Sequence, residues 1–404
     1  MAALMDTRIL LRKIKDLRCL TPKRTRVKAK WAATRAKSPA TSLALHYFDA
    51  TYSLQLGQQW PSARAALLSE RKYGALINSF SHKAVQADLQ AQGCRDFVSH
   101  TDQEAAQPFL EQEAGGESEG RMEEESSVSL KKSDRVDQEL SPLRLSPNIK
   151  CLVFPRGDIT RFKAARPDMS GLLAYYLMDA ASVLPCLALD VQEGHSVLDL
   201  CAAPGGKTLA LLQTHSIRFL CVNDASVSRT LRLKKVLHSY VPKELLTSER
   251  LRITSLDGTK WGEIERNTFD RVLVDVPCTT DRHALMEEDN NIFNKSRTGE
   301  RRKLPQLQME LLLAGIEAAC PGGEIVYSTC SLSQLQNQYV VEQAVHLARE
   351  KHGIHLQVVN LRPLTHMFRK TFHFAPDLHL GEMVLPHLAA NFGPIYMCKL
   401  RRLS

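Results

Sequence analysis

An α/β fold, a doubly wound and mostly parallel sheet with a small N-terminal extension, is what the sequence predicts, and three observations predict it. From position 147 onward, short apolar runs of strand length alternate with longer stretches of helical apolar spacing. Several of these runs end on an acid or a tight turn, at Asp224, at Asp257-Gly258 and at Asp275. The first run leads into a turn free of bulky side chains, Ala202 to Gly206, and a helix opens near Thr208. In such folds ligands sit outside the carboxyl ends of the strands, so the acids and the turn mark one candidate edge.

The 404 residues suit about two domains plus extensions. A net charge of +9 with pI near 9.0 favours an anionic partner, nucleic acid ahead of a membrane surface. The ten cysteines are scattered without a C-x-x-C pair. They imply neither a metal site nor a disulfide framework, and point to a reducing compartment. The most apolar long run, 171–191, is broken by Asp179 and Pro185, which argues against a membrane span and for a soluble protein.

Taken in order, residues 1–37 are dense in Arg and Lys, poor in acids, and place Ile9, Leu10, Leu11, Ile14 and Leu17 on one face of an amphipathic helix. That is the pattern of a mitochondrial transit peptide, with a basic nucleic-acid-binding arm or nuclear signal as the alternative. Residues 38–100 form a small packed element, too short to stand alone. Within it Trp60-Pro61-Ser62 opens a helix whose apolar positions run from Ala66 to Ile77. Residues 101–146 are acidic and poor in apolar groups, which predicts a disordered linker or surface insertion.

The main domain spans 147–404. Strands are expected at 151–154, 197–200, 219–224, 251–256, 269–276, 323–328, 357–361 and 395–399, and helices near 171–184, 226–239, 304–319 and 334–350. Pro185 is expected to stop the helix at 171–184.

Three ligands compete for the turn at 201–208. A phosphate loop needs a glycine where Cys201 stands, and the dinucleotide fingerprint needs three spaced glycines where only Gly205 and Gly206 occur. S-adenosylmethionine (SAM) has no phosphate. It needs close backbone approach and an acid on the next strand for its ribose, and Asp224 supplies that acid. Asp257 and Gly258 stand where an adenine would be contacted.

Two cysteines occupy strand ends, Cys278 in Asp-Val-Pro-Cys-Thr-Thr and Cys330 in Tyr-Ser-Thr-Cys-Ser. Methylation of cytosine at C5 needs a thiolate adding at C6, because C5 alone is too weak a nucleophile. Asp275, if protonated by burial, would donate a hydrogen bond to the base at N3.

The motifs from Gly157-Asp158 and 175–182 through Asp-Leu-Cys-Ala-Ala-Pro-Gly-Gly-Lys-Thr, Asp-Val-Pro-Cys-Thr-Thr and Tyr-Ser-Thr-Cys-Ser-Leu resemble the Sun-domain (NSUN) RNA 5-methylcytosine methyltransferases, over essentially 147–404. Lys-Trp-Ala-Ala-Thr, Tyr-Ser-Leu-Gln-Leu-Gly, Trp-Pro-Ser and Ala-Asn-Phe-Gly-Pro further resemble its mitochondrial ribosomal-RNA branch. The resemblance implies a class I SAM-dependent methyltransferase fold, Rossmann-like, with Cys330 as nucleophile and Cys278 assisting product release. It places Gly205, Gly206, Lys207, Asp224, Arg229, Asp257, Gly258 and Asp275 at the SAM site. As partners it implies mitochondrial ribosomal RNA and ribosomal subunits, and an mTERF-family (mitochondrial transcription-terminator-like) protein, family member four, in the mitochondrial matrix. Arg297, Arg301, Arg302 and Lys303 follow the Pro-Cys loop as candidate phosphate contacts. The target cytosine must be single-stranded or flipped out. A chain serving mainly as a non-catalytic RNA-binding assembly scaffold is the alternative function.

Overall fold

The computed structural model describes residues 38–82, 84–99, 145–376 and 378–404. The basic segment read as a transit peptide and the acidic segment 101–144 lie outside the described residues.

Helix α1 (Ala40–Leu56) comes first, then α2 (Trp60–Leu68). The buried residues of α1, Ala40, Ala44, Phe48 and Tyr52, stand four apart. This narrow stripe docks on the main domain, where Phe48 and Phe293 meet edge to face at 5.1 Å. Pro61 lies in the first turn of α2, as expected, but the helix stops at Leu68, and β1 (Gly74–Ile77) takes up the apolar residues predicted to continue it. Helix α3 (Gln86–Ala91) and strands β2 (Arg95–Asp96), β3 (Cys151–Val153) and β4 (Tyr175–Met178) follow. The four strands form one antiparallel sheet in the order β2-β3-β1-β4, drawn from both sides of the acidic segment.

That sheet overturns the helix expected at 171–184. Tyr175–Met178 pairs with β1, a 3₁₀ turn covers Ala180–Val183, and Pro185 sits in the first turn of α4 (Leu184–Ala188) instead of ending a helix. An unbroken apolar run does not by itself distinguish a buried strand from a helix, and here the pairing partner lies far upstream.

Beyond α4 the chain alternates: β5 (His195–Asp199), α5 (Gly206–Leu212), β6 (Ile217–Asn223), α6 (Val227–Tyr240), β7 (Leu251–Thr254), α7 (Trp261–Ile264), β8 (Phe269–Asp275), α8 (Asp281–Met286), α9 (Thr298–Ala318), β9 (Ala319–Thr329), α10 (Gln338–His352), β10 (Leu356–Val359), α11 (Arg362–Phe368), β11 (Glu382–Val384) and β12 (Ile395–Arg402). The sheet order is β10-β12-β9-β8-β5-β6-β7, with β11 beside β12. Strands β9 to β7 are parallel; β12 pairs antiparallel with β9, and β10 antiparallel with β12. The chain winds from β5 out to β7 and returns as β8 on the other side of β5. A crevice opens at that reversal.

Successive residues of the central strands face opposite cores. Leu198, Val272, Val274 and Ile325 pack under α1, α2, α9 and α10, while Val197, Leu273 and Val326 pack under α4, α5, α6, α11 and the small sheet. Val272, Leu273 and Val274 are fully buried, worth roughly 1.5–3 kcal/mol apiece. Slipping β8 by one residue would exchange its faces, so this burial also fixes the register. Towards the amino ends of β8 and β9, buried Glu324 meets Lys399 Nζ and Arg401 Nη2 at 2.7 Å each and Arg271 Nη2 at 3.4 Å. Among the described residues no helix is long and apolar enough to cross a membrane.

Candidate active site

The turn after β5 is held by its neighbours' backbone. Ala202 N–H donates to Asn223 O at 2.7 Å. The buried Asn223 amide donates to Leu200 O (3.2 Å) and Leu256 O (3.0 Å), and its oxygen accepts from Thr254 Oγ1 (2.8 Å) and Leu256 N–H (2.9 Å). One side chain thus ties together the ends of β5, β6 and β7. Gly205 has φ of +116°, a conformation that demands glycine, and a Cβ there would also press on Leu233 Cδ1 at 2.8 Å. A cleft of about 160 Å³ opens beside the turn, lined among others by Tyr176, Asp199, Pro204, Gly206, Lys207 and Asp275.

The strand-end acids differ in their partners. Asp199 is fully buried; its Oδ2 accepts from Thr208 Oγ1 at 2.7 Å and its Oδ1 has no partner. Burial pushes its pKa up to about 7. Asp224, also buried, accepts from Ser226 N–H on Oδ1 at 3.0 Å. Its Oδ2 has no hydrogen-bond donor, although Arg229 Nη2 stands 3.3 Å away as counter-charge. Arg229 also donates to Ala203 O at 2.5 Å, bracing the turn. Asp257 is exposed, and its Oδ1 caps its own turn by accepting from Thr259 N–H at 3.0 Å and Thr259 Oγ1 at 2.8 Å. A Cβ on Gly258 would lie 2.7 Å from Leu311 Cδ2, so a larger residue there would have to move that side chain on α9.

Across the crevice Lys207 Nζ donates to Asp275 Oδ2 at 2.9 Å. Burial works against the Lys207 ammonium, yet the Asp275 carboxylate outweighs it and holds the lysine pKa above its ordinary value. Asp275 Oδ1 accepts from Ser328 Oγ at 2.7 Å. Both Asp275 oxygens are therefore acceptors in this arrangement, which differs from the proton-donating role expected of it.

Cys278 follows β8 and Cys330 follows β9, which are neighbours, and their Sγ atoms are 3.2 Å apart. The contact drives the two acidities apart. The Cys330 S–H lowers the Cys278 pKa against the effect of burial, and the same bond, with burial, raises that of Cys330, opposed by the positive charge of Lys207. The pair therefore titrates as a unit, with Cys278 the more readily ionised of the two sulfurs.

The basic cluster does not form one patch. Arg297 is committed to Glu300 at 2.6 Å and to Asn290 O at 2.6 Å, and Arg301 lies over the Phe293 ring at 4.5 Å. Arg302 and Lys303 are exposed. Sequence reasoning missed Asp199, Asn223 and Ser328 as site residues; the acid ending β5 could have been found by the strand-end rule that picked out Asp224.

A cleft at the reversal of a doubly wound sheet, floored by a small-residue turn and lined by Asp199 and Asp275 from neighbouring strand ends, with Asp224, Asp257 and Gly258 outside its lining, defines a class I methyltransferase fold. Solved structures agree in fold: a methyltransferase homologue from Pyrococcus horikoshii matches with TM-score 0.55 at 19% identity, covering 91% of this chain and 100% of that one. Pyrococcus horikoshii NSun6, solved with SFG, matches with TM-score 0.52 at 16% identity, covering 90% and 98%. Residues 186–400 match the family model described as 16S rRNA methyltransferase RsmB/F. The chain is 54% identical to the Xenopus tropicalis 5-cytosine rRNA methyltransferase NSUN4 over 98% of both chains, and 53% identical to the Mus musculus protein of that name over 95% of this chain and 94% of that one. It is 33% identical to a mouse mitochondrial tRNA (cytosine(34)-C(5))-methyltransferase, over 94% and 95%. The chain belongs to the RsmB/F and NSUN family of RNA cytosine-5 methyltransferases, with SAM as cofactor. The site fits that cofactor: Asp199 Oδ1 and Asp224 Oδ2 are buried oxygens without a hydrogen-bond donor beside the glycine turn.

Proposed function

We propose that this chain methylates cytosine C5 in mitochondrial ribosomal RNA through a covalent adduct at C6, and takes part in mitochondrial ribosome assembly. The observation that carries the mechanism is the 3.2 Å contact between Cys278 and Cys330 on neighbouring strand ends, beside the Lys207–Asp275 pair. SAM supplies the electrophilic methyl group. Asp224 would take its ribose hydroxyls, Asp257 and Gly258 would border its adenine, and Gly205 and Gly206 would let it approach the backbone. Cys330 Sγ, its proton passed to Cys278 across the 3.2 Å contact, adds to C6. The electron pair released at C5 would take the methyl carbon as its bond to the sulfonium sulfur breaks, leaving S-adenosylhomocysteine. Loss of the C5 proton then breaks the C6–sulfur bond and returns the Cys330 thiolate, with Cys278 assisting that release. Lys207 opposes the rise of the Cys330 pKa without outweighing the Cys278 contact and burial, and its charge would favour the departing thiolate at release.

Ribosomal RNA as substrate is supported by what the NSUN4 relatives are named for. The mitochondrial matrix, the ribosomal subunits and an mTERF-family partner rest on the motif resemblance, and the matrix also on the basic, acid-poor segment 1–37. A reporter fused to residues 1–40 should enter mitochondria; nuclear accumulation would remove the location.

Denaturing gels of enzyme incubated with target RNA and SAM test the cysteines. Cys330→Ala should abolish both methyl transfer and adduct. Cys278→Ala should accumulate a denaturant-resistant adduct, because release is slowed after attack. An adduct that survives loss of Cys330 but not of Cys278 would reverse the assignment.

A further inference from the structure

The two thiols are held together by groups outside the cleft. Asp281, the first residue of α8, is fully buried. Its Oδ1 accepts from Thr279 Oγ1 at 2.5 Å and Ser331 Oγ at 3.2 Å, and its Oδ2 accepts from Leu332 N–H at 2.8 Å. Its own N–H donates to Cys330 O at 3.3 Å. Thr279 directly follows Cys278, and Ser331 and Leu332 directly follow Cys330. One carboxylate therefore joins the backbones that carry both sulfurs. Gln336 closes the far side, donating to Thr279 Oγ1 at 3.0 Å and Ser331 Oγ at 3.2 Å while accepting from Thr279 N–H at 3.1 Å.

A buried carboxylate is costly unless several donors meet it. The remaining donor comes from the N-terminal helix, where Tyr52 Oη bonds Asp281 Oδ2 at 2.8 Å. Tyr52 is itself buried, stacked on Phe48 with ring centroids 4.8 Å apart and set against Trp60 at 5.6 Å. The same helix reaches the second cysteine loop through Gln55, which donates to Leu332 O at 2.5 Å and accepts from Gln334 N–H at 3.3 Å. Neither Tyr52 nor Asp281 lines the cleft. An apolar pair would fill this space without the cost of burying a charge.

We infer that Tyr52 and Asp281 are positioning residues for methyl transfer: the hydroxyl that α1 inserts beneath the cysteine loops, and the carboxylate it meets, set the spacing of the two sulfurs. The inference rests on the two-cysteine mechanism proposed above. It makes α1 part of the working site, although no residue of that helix touches the reacting atoms.

The test uses the full chain with Tyr52→Phe, which keeps the aromatic stack and deletes one oxygen, and Asp281→Asn, which keeps the shape and deletes the charge. Three readouts are compared with wild type: SAM affinity, single-turnover methyl transfer at saturating SAM and RNA, and binding of phenylarsine oxide, whose arsenic must bond two sulfurs within reach of each other. The part of the arsenical binding that disappears in Cys278→Ala belongs to this pair. Both variants should keep SAM affinity while methyl transfer falls about ten- to a hundredfold, the loss that a slight misplacement of reacting groups produces. Arsenical affinity at the pair should fall with it, more for Asp281→Asn than for Tyr52→Phe. Wild-type transfer rates and wild-type arsenical affinity, with only the melting temperature lowered, would overturn the inference. If Asp281→Asn does not fold, Tyr52→Phe decides alone. Methyl transfer surviving in Cys330→Ala would instead sink the two-cysteine mechanism, a result independent of whether Tyr52→Phe alters the spacing.

Discussion

The two ends of the main sheet treat buried charge in opposite ways. Towards the amino ends of the strands, Glu324 is surrounded by Lys399, Arg401 and Arg271 from the strands on either side. At the carboxyl ends, Asp199 Oδ1 is buried with neither a hydrogen bond nor an ion pair, Asp224 Oδ2 has a single guanidinium at 3.3 Å, and two sulfurs stand 3.2 Å apart. Glu324 Oε2 also lacks a hydrogen bond but lies between Lys399 at 2.7 Å and Arg271 at 3.4 Å. An unsatisfied buried polar atom costs about 1–3 kcal/mol, so the carboxyl end is held against its own electrostatics. The lesson is a division of labour: one end holds the sheet together, the other stays unsatisfied so that a ligand can complete it.

The largest expected effect breaks the amino end. Glu324→Ala leaves buried Lys399 and largely buried Arg271 without their carboxylate, Arg401 reaching solvent, and should cost about 3–5 kcal/mol of stability, read as a lowered denaturation midpoint. Methyl transfer per folded molecule should be unchanged, because the substitution lies far from the cysteines. The pH dependence has a defined sign. Burial raises the Glu324 pKa but the cations outweigh it, and the net shift is downward from 4.5. Its contribution is therefore complete above that value and is lost as pH falls through the depressed folded-state pKa. A Glu324→Ala protein that loses activity in proportion to nothing but temperature would sharpen the comparison, and one that loses SAM binding at low temperature would break it.

Asp199 carries the opposite sign. Burial raises its pKa from 3.8 to about 7, so the folded protein holds a proton there that the unfolded chain has released. Stability from this group is greatest below 3.8 and declines as pH rises towards about 7. Asp199→Asn preserves the shape and removes the titration. Across that window the melting temperature of the wild type should decline relative to the variant, and parallel curves would show that the strand end is not under electrostatic load.

Asp224 and Asp257 divide the carboxyl end itself. Asp224→Ala removes a buried carboxylate whose Oδ2 has no hydrogen-bond donor in the protein and should weaken SAM binding about ten- to a hundredfold, or roughly 1.5–3 kcal/mol. Asp257→Ala removes an exposed cap and should cost stability at the lower end of about 0.5–2 kcal/mol, with a smaller loss of SAM affinity. Calorimetry that ranks Asp257 above Asp224 would show that the capping carboxylate is the principal cofactor contact.

Much of this was legible in the chain because the parallel strands and their ends are local. A strand, its turn and its helix lie within a few tens of residues, so the glycine turn, Asp224, Asp275 and both cysteines could be read in place. What escaped was long-range. The helix expected at 171–184 became a strand because β1, encoded before the acidic segment, pairs with it. The α1 stripe of Ala44, Phe48 and Tyr52 shows a four-residue spacing, but nothing in that spacing names Asp281 as the partner of Tyr52. Positions 205 and 258 both hold glycines at the expected edge, and only packing separates them: the positive φ of Gly205 serves the turn, while Gly258 makes room for Leu311.

The smallest expected effect concerns the exposed rim beyond the carboxyl end. Four basic residues follow one another closely between 297 and 303, yet Arg297 is engaged by Glu300 and Asn290 and Arg301 lies on Phe293. Of the four, Arg302 and Lys303 are exposed and Arg297 and Arg301 half-buried, so the first two are the better placed to meet a phosphate. Each phosphate contact contributes about 0.7–0.9 to the slope of log affinity against log salt. Arg302→Ala and Lys303→Ala together should lower the slope for RNA binding by about 1.5 and weaken affinity alike for all sequences, without changing SAM binding. Arg297→Ala should leave the slope as it is and instead lower stability slightly, because it breaks a half-exposed ion pair worth about 1 kcal/mol or less. Filter-binding titrations over a range of salt concentrations measure both. A slope that drops for Arg297→Ala and not for the double variant would mean that RNA displaces the Glu300 pairing, placing the contact on the turn before α9 and not on its exposed face.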